Sequence, residues 1–449
     1  MTNKLFGTDG VRGKANYYPM NVDFALDLAR VLSSLDCLDK KKIAIARDTR
    51  ISGDMLKSAL CSGFMENGID VIDLGVVPTP LVTLFTKNLD VDLAIMITAS
   101  HNPYFDNGFK LINKDGDKFD DDFYRDIEEK LANKEYKHSA DDNIGKYTIC
   151  ESIVEEYISK VRDIAPNYKA LSGVRIVLDC ANGAYSYILP QIFKDLGAGV
   201  ISINNTPNGY NINENCGSQH TDELAKTVVE AKAQFGIAVD GDGDRIILVD
   251  DNGCIIDGDQ LLCFLANYMK KHEMLNNNTI VSTEWSNLGL GEYFAKNGFN
   301  YFKSKVGERY VIDLMKEKGA VLGGELVGHI VLSQFAKSGD AAVTAVVIAL
   351  AYLNENKKMS EIFPLFEPYP CVIENIRFSK KEYMLESVEH DDIKEALLIA
   401  KKELGEDSNL IARKSGTEPV IKLRVEGKDA KLVEQTADKL KTLIVKYQK

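Results

Sequence analysis

Leu93-Ala94-Ile95-Met96-Ile97-Thr98-Ala99-Ser100-His101-Asn102-Pro103 joins an apolar run to a polar cluster closed by proline. The apolar part reads as a buried strand. A polar turn at the end of such a strand is where an open α/β sheet carries its chemistry. Ser100 is the candidate nucleophile or phosphate carrier, although a serine hydroxyl is a weak nucleophile at neutral pH until something activates it. Taken alone, residues 98–103 read equally well as a Ser/Asn turn without chemistry. Their neighbours along the chain weigh against that.

Working outward, one pattern occurs three times. In the first copy a strand at Ile43-Ala44-Ile45-Ala46 runs into Arg47-Asp48-Thr49-Arg50, Asn67-Gly68 stops the next helix, and Val71-Ile72-Asp73-Leu74 leads to Pro78-Thr79-Pro80. The third strand delivers Ser100. In the second copy Val174-Arg175-Ile176-Val177-Leu178 runs into Asp179-Cys180-Ala181-Asn182-Gly183, and a later strand leads to Asn205-Thr206-Pro207. A helix predicted over Asp222–Gln234 then precedes Ile237-Ala238-Val239, which delivers Asp240-Gly241-Asp242-Gly243-Asp244-Arg245. In the third copy Thr279-Ile280-Val281-Ser282 leads to Glu284-Trp285-Ser286-Asn287. The strand at Tyr301–Ser304 leads to Lys305-Val306-Gly307-Glu308-Arg309, and a last strand or turn delivers Gly324-Glu325-Leu326-Val327-Gly328-His329. Apolar strands alternating with helices predict mostly parallel sheets covered on both faces.

The segment beyond Phe363-Pro364-Leu365-Phe366-Glu367-Pro368-Tyr369-Pro370 differs. It reads strand, helix (about Lys394–Leu404), two strands and a last helix with Val433, Ala437, Leu440 and Ile444 on one face. Between the two strands lies Arg413-Lys414-Ser415-Gly416-Thr417-Glu418-Pro419, whose cation, hydroxyls and glycine suit a phosphate. Near the start, Gly7-Thr8-Asp9-Gly10-Val11-Arg12-Gly13 reads as a tight loop holding a cation near an anion.

Asp240, Asp242 and Asp244 repel one another unless a cation sits among them. Oxygen-only ligands suit Mg²⁺ or Ca²⁺ rather than zinc, and the alternating glycines let the three carboxylates converge. No glutamate closes an EF-hand register. Arg245 is placed to neutralise excess charge or to touch a phosphate.

The bulk numbers bound the rest. The 449 residues suffice for several domains of roughly 100–150 residues. A net charge of -13 argues against nucleic-acid binding driven by overall charge. The eight cysteines are scattered without a CxxC pair, which argues against disulfides and a thiolate zinc site. No apolar run is long enough to span a bilayer, and Met1–Gly7 lacks a secretory hydrophobic region, so a cytoplasmic protein with no membrane partner is expected.

Together these loops resemble the phosphohexomutase superfamily, closest to the bacterial phosphoglucosamine mutase family. The matching stretches are Leu5–Gly13, the Ser100 motif, Asp106-Asn107-Gly108-Phe109-Lys110, Asn211–Ser218, Asp240–Arg245, Lys305–Tyr310, Gly324-Glu325 with Gly328-His329, and Arg413 with Ser415–Pro419. The resemblance implies three similar α/β/α mixed-sheet domains (1–148, 149–252 and 253–366) and a smaller, mobile C-terminal α+β domain (367–449) around a central cleft. It implies that Ser100 is phosphorylated and also ligates Mg²⁺, one ion per active site, with Asp240, Asp242 and Asp244. The reaction implied interconverts glucosamine 6-phosphate and glucosamine 1-phosphate, feeding UDP-N-acetylglucosamine and peptidoglycan synthesis. It runs through a hexosamine 1,6-bisphosphate that also serves as activator. Arg12 and His101 would lie beside the phosphoserine. Lys110 and Lys305 would handle the proton of the attacking or leaving hydroxyl, or pair with phosphate charge. Glu325 would read sugar hydroxyls and His329 would help close that loop. Arg413, Ser415, Gly416 and Thr417 would hold the phosphate that is not reacting. Relatives of this kind make a homodimer an expectation.

The chain departs from the family pattern at Val327, where relatives usually carry a serine, at Glu284-Trp285, where smaller apolar residues are usual, and at Lys414, where proline is common. Val327 bears on the choice of sugar, so a phosphomannomutase or phosphoglucomutase is the near alternative. A metal-dependent phosphatase with an aspartyl nucleophile and a non-catalytic sugar-phosphate-binding protein are the more distant ones.

Overall fold

The computed structural model describes residues 5–7, 9–35, 38–136, 142–379, 383–384, 387, 390–414 and 419–447. The chain forms two compact units. The first runs to Trp285 and takes in Asn300–Leu365; the second is Ser286–Phe299 with the chain from Phe366 onward.

The first unit holds three sheets. β1 (Val11–Lys14), β2 (Lys42–Arg47), β3 (Asp70–Val76), β4 (Leu93–Ile97), β5 (Asp106–Asn113) and β6 (Tyr147–Ile149) form one in the order β1-β5-β4-β2-β3-β6. β7 (Arg175–Asp179), β8 (Gly199–Ile203), β9 (Phe235–Val239), β10 (Ile246–Asp250) and β11 (Ile255–Ile256) form the second in the order β11-β10-β9-β7-β8. β12 (Thr279–Thr283), β13 (Asn300–Ser304), β14 (Leu322–Gly324) and β15 (Ile330–Leu332) form the third in the order β13-β12-β14-β15.

Each sheet contains one shared arrangement. Three parallel strands, β4-β2-β3, β9-β7-β8 and β14-β12-β13, are followed by a return strand antiparallel to the one that carries the special loop: β5 on β4, β10 on β9, β15 on β14. The parallel part follows from buried apolar strands covered by helices. The sheets are nonetheless mixed, because every special loop is a hairpin that sends the chain straight back beside its own strand. β5 hides this in the sequence. Its polar Asn107 and Lys110 are buried, and a Cβ on Gly108 would stand 2.6 Å from the carbonyl oxygens of both Thr98 and Val11, so only glycine fits there.

Local signals set the helix ends. Val22–Ser33 starts where the Asn21 side chain accepts the Phe24 N–H, and it buries Phe24, Leu28, Val31 and Leu32. The helix expected over Asp222–Gln234 ends at Ala231. Lys232 turns left-handed at φ 51°, and the Gln234 N–H is already bonded to the Arg175 carbonyl at the sheet. Ala341–Leu353 is apolar nearly all round and almost wholly buried, capped by Asp340 at the N–H groups of Ala342 and Val343.

In the second unit β16 (Cys371–Arg377), β17 (Asn409–Lys414) and β18 (Val420–Glu426) form an antiparallel sheet in the order β16-β18-β17, with helices Asp391–Leu404 and Ala430–Val445. Val433, Ala437, Leu440 and Ile444 are all buried in its core with Ile421, Leu423 and Val425. Leu288–Lys296 belongs here too. The Leu288 N–H donates to Glu426 at 2.8 Å, and the Asn287 amide pairs with the Tyr369 backbone in both directions. Arg413 lies near the end of β17, while Ser415, Gly416 and Thr417 fall outside the described residues. Among the described residues no helix is long and apolar enough to cross a membrane.

Candidate active site

The hairpin from β4 to β5 holds Ser100 at φ 52°, in the left-handed region that costs a residue with a Cβ roughly 1–2 kcal/mol. The cost is met by specific bonds. The Ser100 N–H donates to Thr98 Oγ1 at 2.9 Å, and Thr98 Oγ1 donates to Asp48 at 2.6 Å. This conformation puts the buried Ser100 hydroxyl on Asp240 of the second hairpin, donating to Oδ2 at 2.6 Å, with His101 Nδ1 3.3 Å away. Arg12 reaches the same turn, its guanidinium 3.3 Å from the Ala99 carbonyl and 2.5 Å from Asp9.

The second hairpin brings Asp240, Asp242 and Asp244 together. All three are buried, with one oxygen from each within 4.8 Å of the others. The glycines are needed for closeness: a Cβ on Gly241 would stand 2.8 Å from the Ser100 carbonyl oxygen. Asp240 Oδ1 accepts the backbone N–H groups of Gly243 and Arg245 at 3.1 and 3.2 Å. Asp242 Oδ2 accepts from the Thr79 hydroxyl at 2.6 Å and from the Lys110 ammonium at 2.8 Å, and Lys110 also reaches Asp244 Oδ2 at 2.9 Å. Asp242 Oδ1 and Asp244 Oδ1 are buried without a hydrogen-bond partner among the described residues. Burial and the other two carboxylates raise the Asp240 pKa well above the ordinary value. Orphan acceptors beside a carboxyl held back from ionising describe a site short of positive charge. Its all-oxygen donors fit a hard divalent cation.

Charge pairs continue into the third sheet's region. Asp9 meets Lys110 at 3.2 Å and Lys118 at 2.6 Å, and Lys118 meets Glu308 at 2.5 Å. Glu308 meets His329 Nε2 at 2.7 Å, while His329 Nδ1 lies 3.8 Å from Asp244. Burial opposes a charge on Lys110, but Asp242, Asp244 and Asp9 outweigh it and raise its pKa well above the ordinary value. Burial likewise opposes the His329 imidazolium. Glu308 and Asp244 outweigh it and push the pKa up to about 9. Glu308 is held well below the usual carboxylate range, as His329 and Lys118 overcome its burial.

A raised histidine contributes stability that is complete below its unfolded value of about 6.5 and is lost as pH rises through the folded one. Stability should therefore fall between about pH 7 and pH 10, by something on the order of 3 kcal/mol at this pair. Melting temperatures across that range, at fixed Mg²⁺, should decline less steeply in His329→Gln. An equal slope in both proteins would show that the pair does not carry the effect. Glu308 acts at the other end: its contribution is present above its ordinary value and lost as pH falls through its depressed one.

Of the residues expected from sequence, Ser100, His101, Arg12, Lys110, the three aspartates and His329 are joined by the contacts above. Arg245 sits at the same loop, its Nε 3.8 Å from Asp244. Glu325 is buried and accepts the Gly307 N–H at 3.0 Å, which ties the third hairpin to the Lys305–Tyr310 loop. Lys305 is exposed, its ammonium 5.9 Å from the centre of the Tyr310 ring, and it makes none of the contacts around Ser100 described above. Arg413 belongs to the second unit.

Asp9, Thr79, Lys118 and Glu308 were not foreseen. Asp9 lies in a glycine-marked loop, and Thr79 and Glu308 open helices directly after Pro78 and Gly307, where a lone charge or hydroxyl signals a site. Lys118 follows β5 with no pattern of its own and gains its role only from Asp9 and Glu308.

The chain matches four family descriptions in order. They are Phosphoglucomutase/phosphomannomutase alpha/beta/alpha domain I over residues 3–138, domain II over 155–253, domain III over 257–369 and the C-terminal domain over 375–443. It is 41% identical over 443 residues to a protein of Chelativorans sp. (strain BNC1) named phosphoglucosamine mutase, covering 98% of this chain and 97% of that one. It is 40% identical over 452 residues to a phosphoglucosamine mutase of Bartonella tribocorum, covering 100% and 98%. A crystal structure of a phosphoglucomutase/phosphomannomutase family protein from Burkholderia thailandensis superposes with a TM-score of 0.78 at 21% identity, covering 100% and 98%. Aspergillus fumigatus N-acetylphosphoglucosamine mutase, solved with GlcNAc-6P and magnesium, gives a TM-score of 0.69 at 15% identity, covering 99% and 96%.

Proposed function

The chain belongs to the phosphoglucomutase/phosphomannomutase family, and from that membership we infer that it is a phosphoglucosamine mutase, interconverting glucosamine 6-phosphate and glucosamine 1-phosphate. The observation that carries the chemistry is the Ser100 hydroxyl, buried and 2.6 Å from the first carboxylate of a cluster short of positive charge. The substrate rests on full-length similarity to proteins that bear that name.

In this reading Ser100 is the phosphoryl carrier. The phosphoserine O–P bond breaks as a bond forms to O1 of glucosamine 6-phosphate, and the sugar's hydroxyl proton ends on the serine oxygen. The resulting 1,6-bisphosphate turns over; its O6–P bond breaks as a bond forms to Ser100 Oγ, the serine proton passes to O6, and glucosamine 1-phosphate is left. Such transfer is governed by positioning and charge stabilisation. Asp240, Asp242 and Asp244, with an oxygen from the phosphorylated Ser100, would hold one divalent cation, Mg²⁺ by preference, whose charge stabilises the transferring group. Lys110 is held as an ammonium by three carboxylates, so it acts as a donor to phosphoryl oxygen rather than as a base. Arg12 and His101 flank the carrier. Glu325 reads the sugar hydroxyls, and His329 helps close that loop. Arg413 with Ser415, Gly416 and Thr417 grips the distal phosphate, while Lys305 pairs with phosphate charge. The protein works in the cytoplasm as a homodimer, upstream of peptidoglycan.

Val327 is 45% exposed on the third hairpin. The missing hydroxyl forgoes one substrate hydrogen bond, worth about 0.5–1.5 kcal/mol, which raises KM without removing turnover. The test is a comparison of kcat/KM on glucosamine, glucose and mannose 6-phosphates with Mg²⁺ and a trace of bisphosphate. Glucosamine 6-phosphate should lead by at least roughly tenfold. A lead for glucose or mannose phosphate would overturn the substrate and keep the carrier chemistry.

A further inference from the structure

Asp48-Thr49-Arg50, the turn after β2, takes no part in the chemistry above, yet it contains a fully buried arginine. All five guanidinium N–H groups of Arg50 are taken. Nε donates to Asp48 Oδ2 at 2.9 Å. Nη2 donates to the carbonyl of Ser100 at 2.9 Å and of Asn102 at 2.8 Å. Nη1 donates to the carbonyl of Asp106 at 2.9 Å and to that of Pro103. Asp48 is equally buried. It accepts the Arg50 N–H at 2.9 Å and the Thr98 hydroxyl at 2.6 Å.

A desolvated ion pair stabilises little by itself unless its remaining donors and acceptors are satisfied. Here what satisfies them is a single object, the turn that carries Ser100. That turn is also held from its other side. Asn213, in the stretch before β9, donates its amide to the same two carbonyls, Ser100 at 2.9 Å and Asn102 at 3.0 Å. Each carbonyl therefore receives one donor from Arg50 and one from Asn213.

We propose that Arg50 is a positioning residue for phosphoryl transfer: with Asn213 opposite, its guanidinium pins the Ser100 turn in the left-handed conformation that keeps Oγ at Asp240. This rests on the reading of Ser100 as carrier. A phosphoryl group adds close to two negative charges at Oγ, beside three carboxylates that repel it whenever the cation is slow to arrive. A serine at φ 52° has easier conformations available, and moving to one of them would swing the phosphate out of line. Four carbonyl bonds from one rigid fork remove that escape. Lysine cannot substitute, since its three donors radiate from one point and cannot span carbonyls from Ser100 to Asp106.

The experiment loads wild type, Arg50→Lys and Asn213→Ala with phosphate from glucosamine 1,6-bisphosphate. Intact mass quantifies Ser100 occupancy, and transfer to glucosamine 6-phosphate is then followed in a single turnover at saturating sugar and Mg²⁺. Misplacement of a reacting atom by an ångström costs on the order of 100-fold. The transfer step should fall about that much in Arg50→Lys and roughly tenfold in Asn213→Ala. The KM for sugar phosphate and the half-saturating Mg²⁺ should stay within about twofold. Ethylguanidinium added to Arg50→Ala should restore part of the rate. Asn213→Ala removes a half-buried side chain and keeps the test alive if Arg50 variants do not fold. Wild-type transfer rates in the folded variants would overturn the proposal. So would a loss confined to KM. A wild type that never takes phosphate onto Ser100 would instead overturn the carrier reading and this inference with it.

Discussion

Ser100→Ala is expected to lose mutase turnover by at least about 10⁴-fold, because in the proposed reaction it removes the atom on which the phosphoryl group travels. The Ser100 side chain makes few demands on the fold. Its hydroxyl has two neighbours, Asp240 and His101, while the turn is held by backbone groups that alanine keeps. The variant should therefore fold, and intact mass should show a phosphate-sized increment on wild type alone after incubation with a sugar bisphosphate. The outcome separates two chemistries. If an aspartate of the metal loop were the nucleophile, the alanine variant would still release inorganic phosphate from sugar phosphates at the wild-type rate. That result would sink the phosphoserine mechanism.

The second large effect belongs to Asp242. Its Oδ2 is tied to the first sheet's region twice, by Thr79 at the start of the helix after β3 and by Lys110 from β5. Its buried Oδ1 has no hydrogen-bond partner among the described residues. Asp242→Asn keeps the shape and removes one charge. Turnover should fall roughly 10³-fold, corresponding to a loss of several kcal/mol of charge stabilisation. The same substitution should weaken the rise in melting temperature that Mg²⁺ gives the wild type, since a ligand at about 100 times its Kd stabilises by close to 2.7 kcal/mol. Chelation of the wild type should abolish turnover reversibly. If Mg²⁺ stabilised Asp242→Asn as well as it does the wild type, the cation would be held elsewhere.

What the sequence revealed and what it hid follow from the range of each interaction. β4 and the Asp240–Arg245 loop were legible because their signals are local: an apolar run, then glycine, proline or alternating carboxylates. The helix faces of the C-terminal unit were legible for the same reason. The pairings of Lys118 with Asp9 and of Lys110 with Asp242 join residues more than 100 positions apart, and no local pattern marks them. β5 was read as a motif rather than a strand, because a strand that carries site residues forgoes the alternation by which strands are recognised. The place of Leu288–Lys296 in the second unit, held by Glu426, is equally silent in chain order.

The recurrence of one strand order in three sheets carries a consequence for history. β5-β4-β2-β3, β10-β9-β7-β8 and β15-β14-β12-β13 are the same ribbon written three times, and in each the hairpin after the third strand has specialised. In the function proposed above, one copy supplies the carrier, one the cradle for a cation and one the reader of the sugar. Such a division of labour is what duplication of a single ancestral unit leaves behind. An ancestral assembly of identical copies would have presented one loop chemistry three times over. Each loop was then free to diverge because the sheet beneath it asked only for a turn.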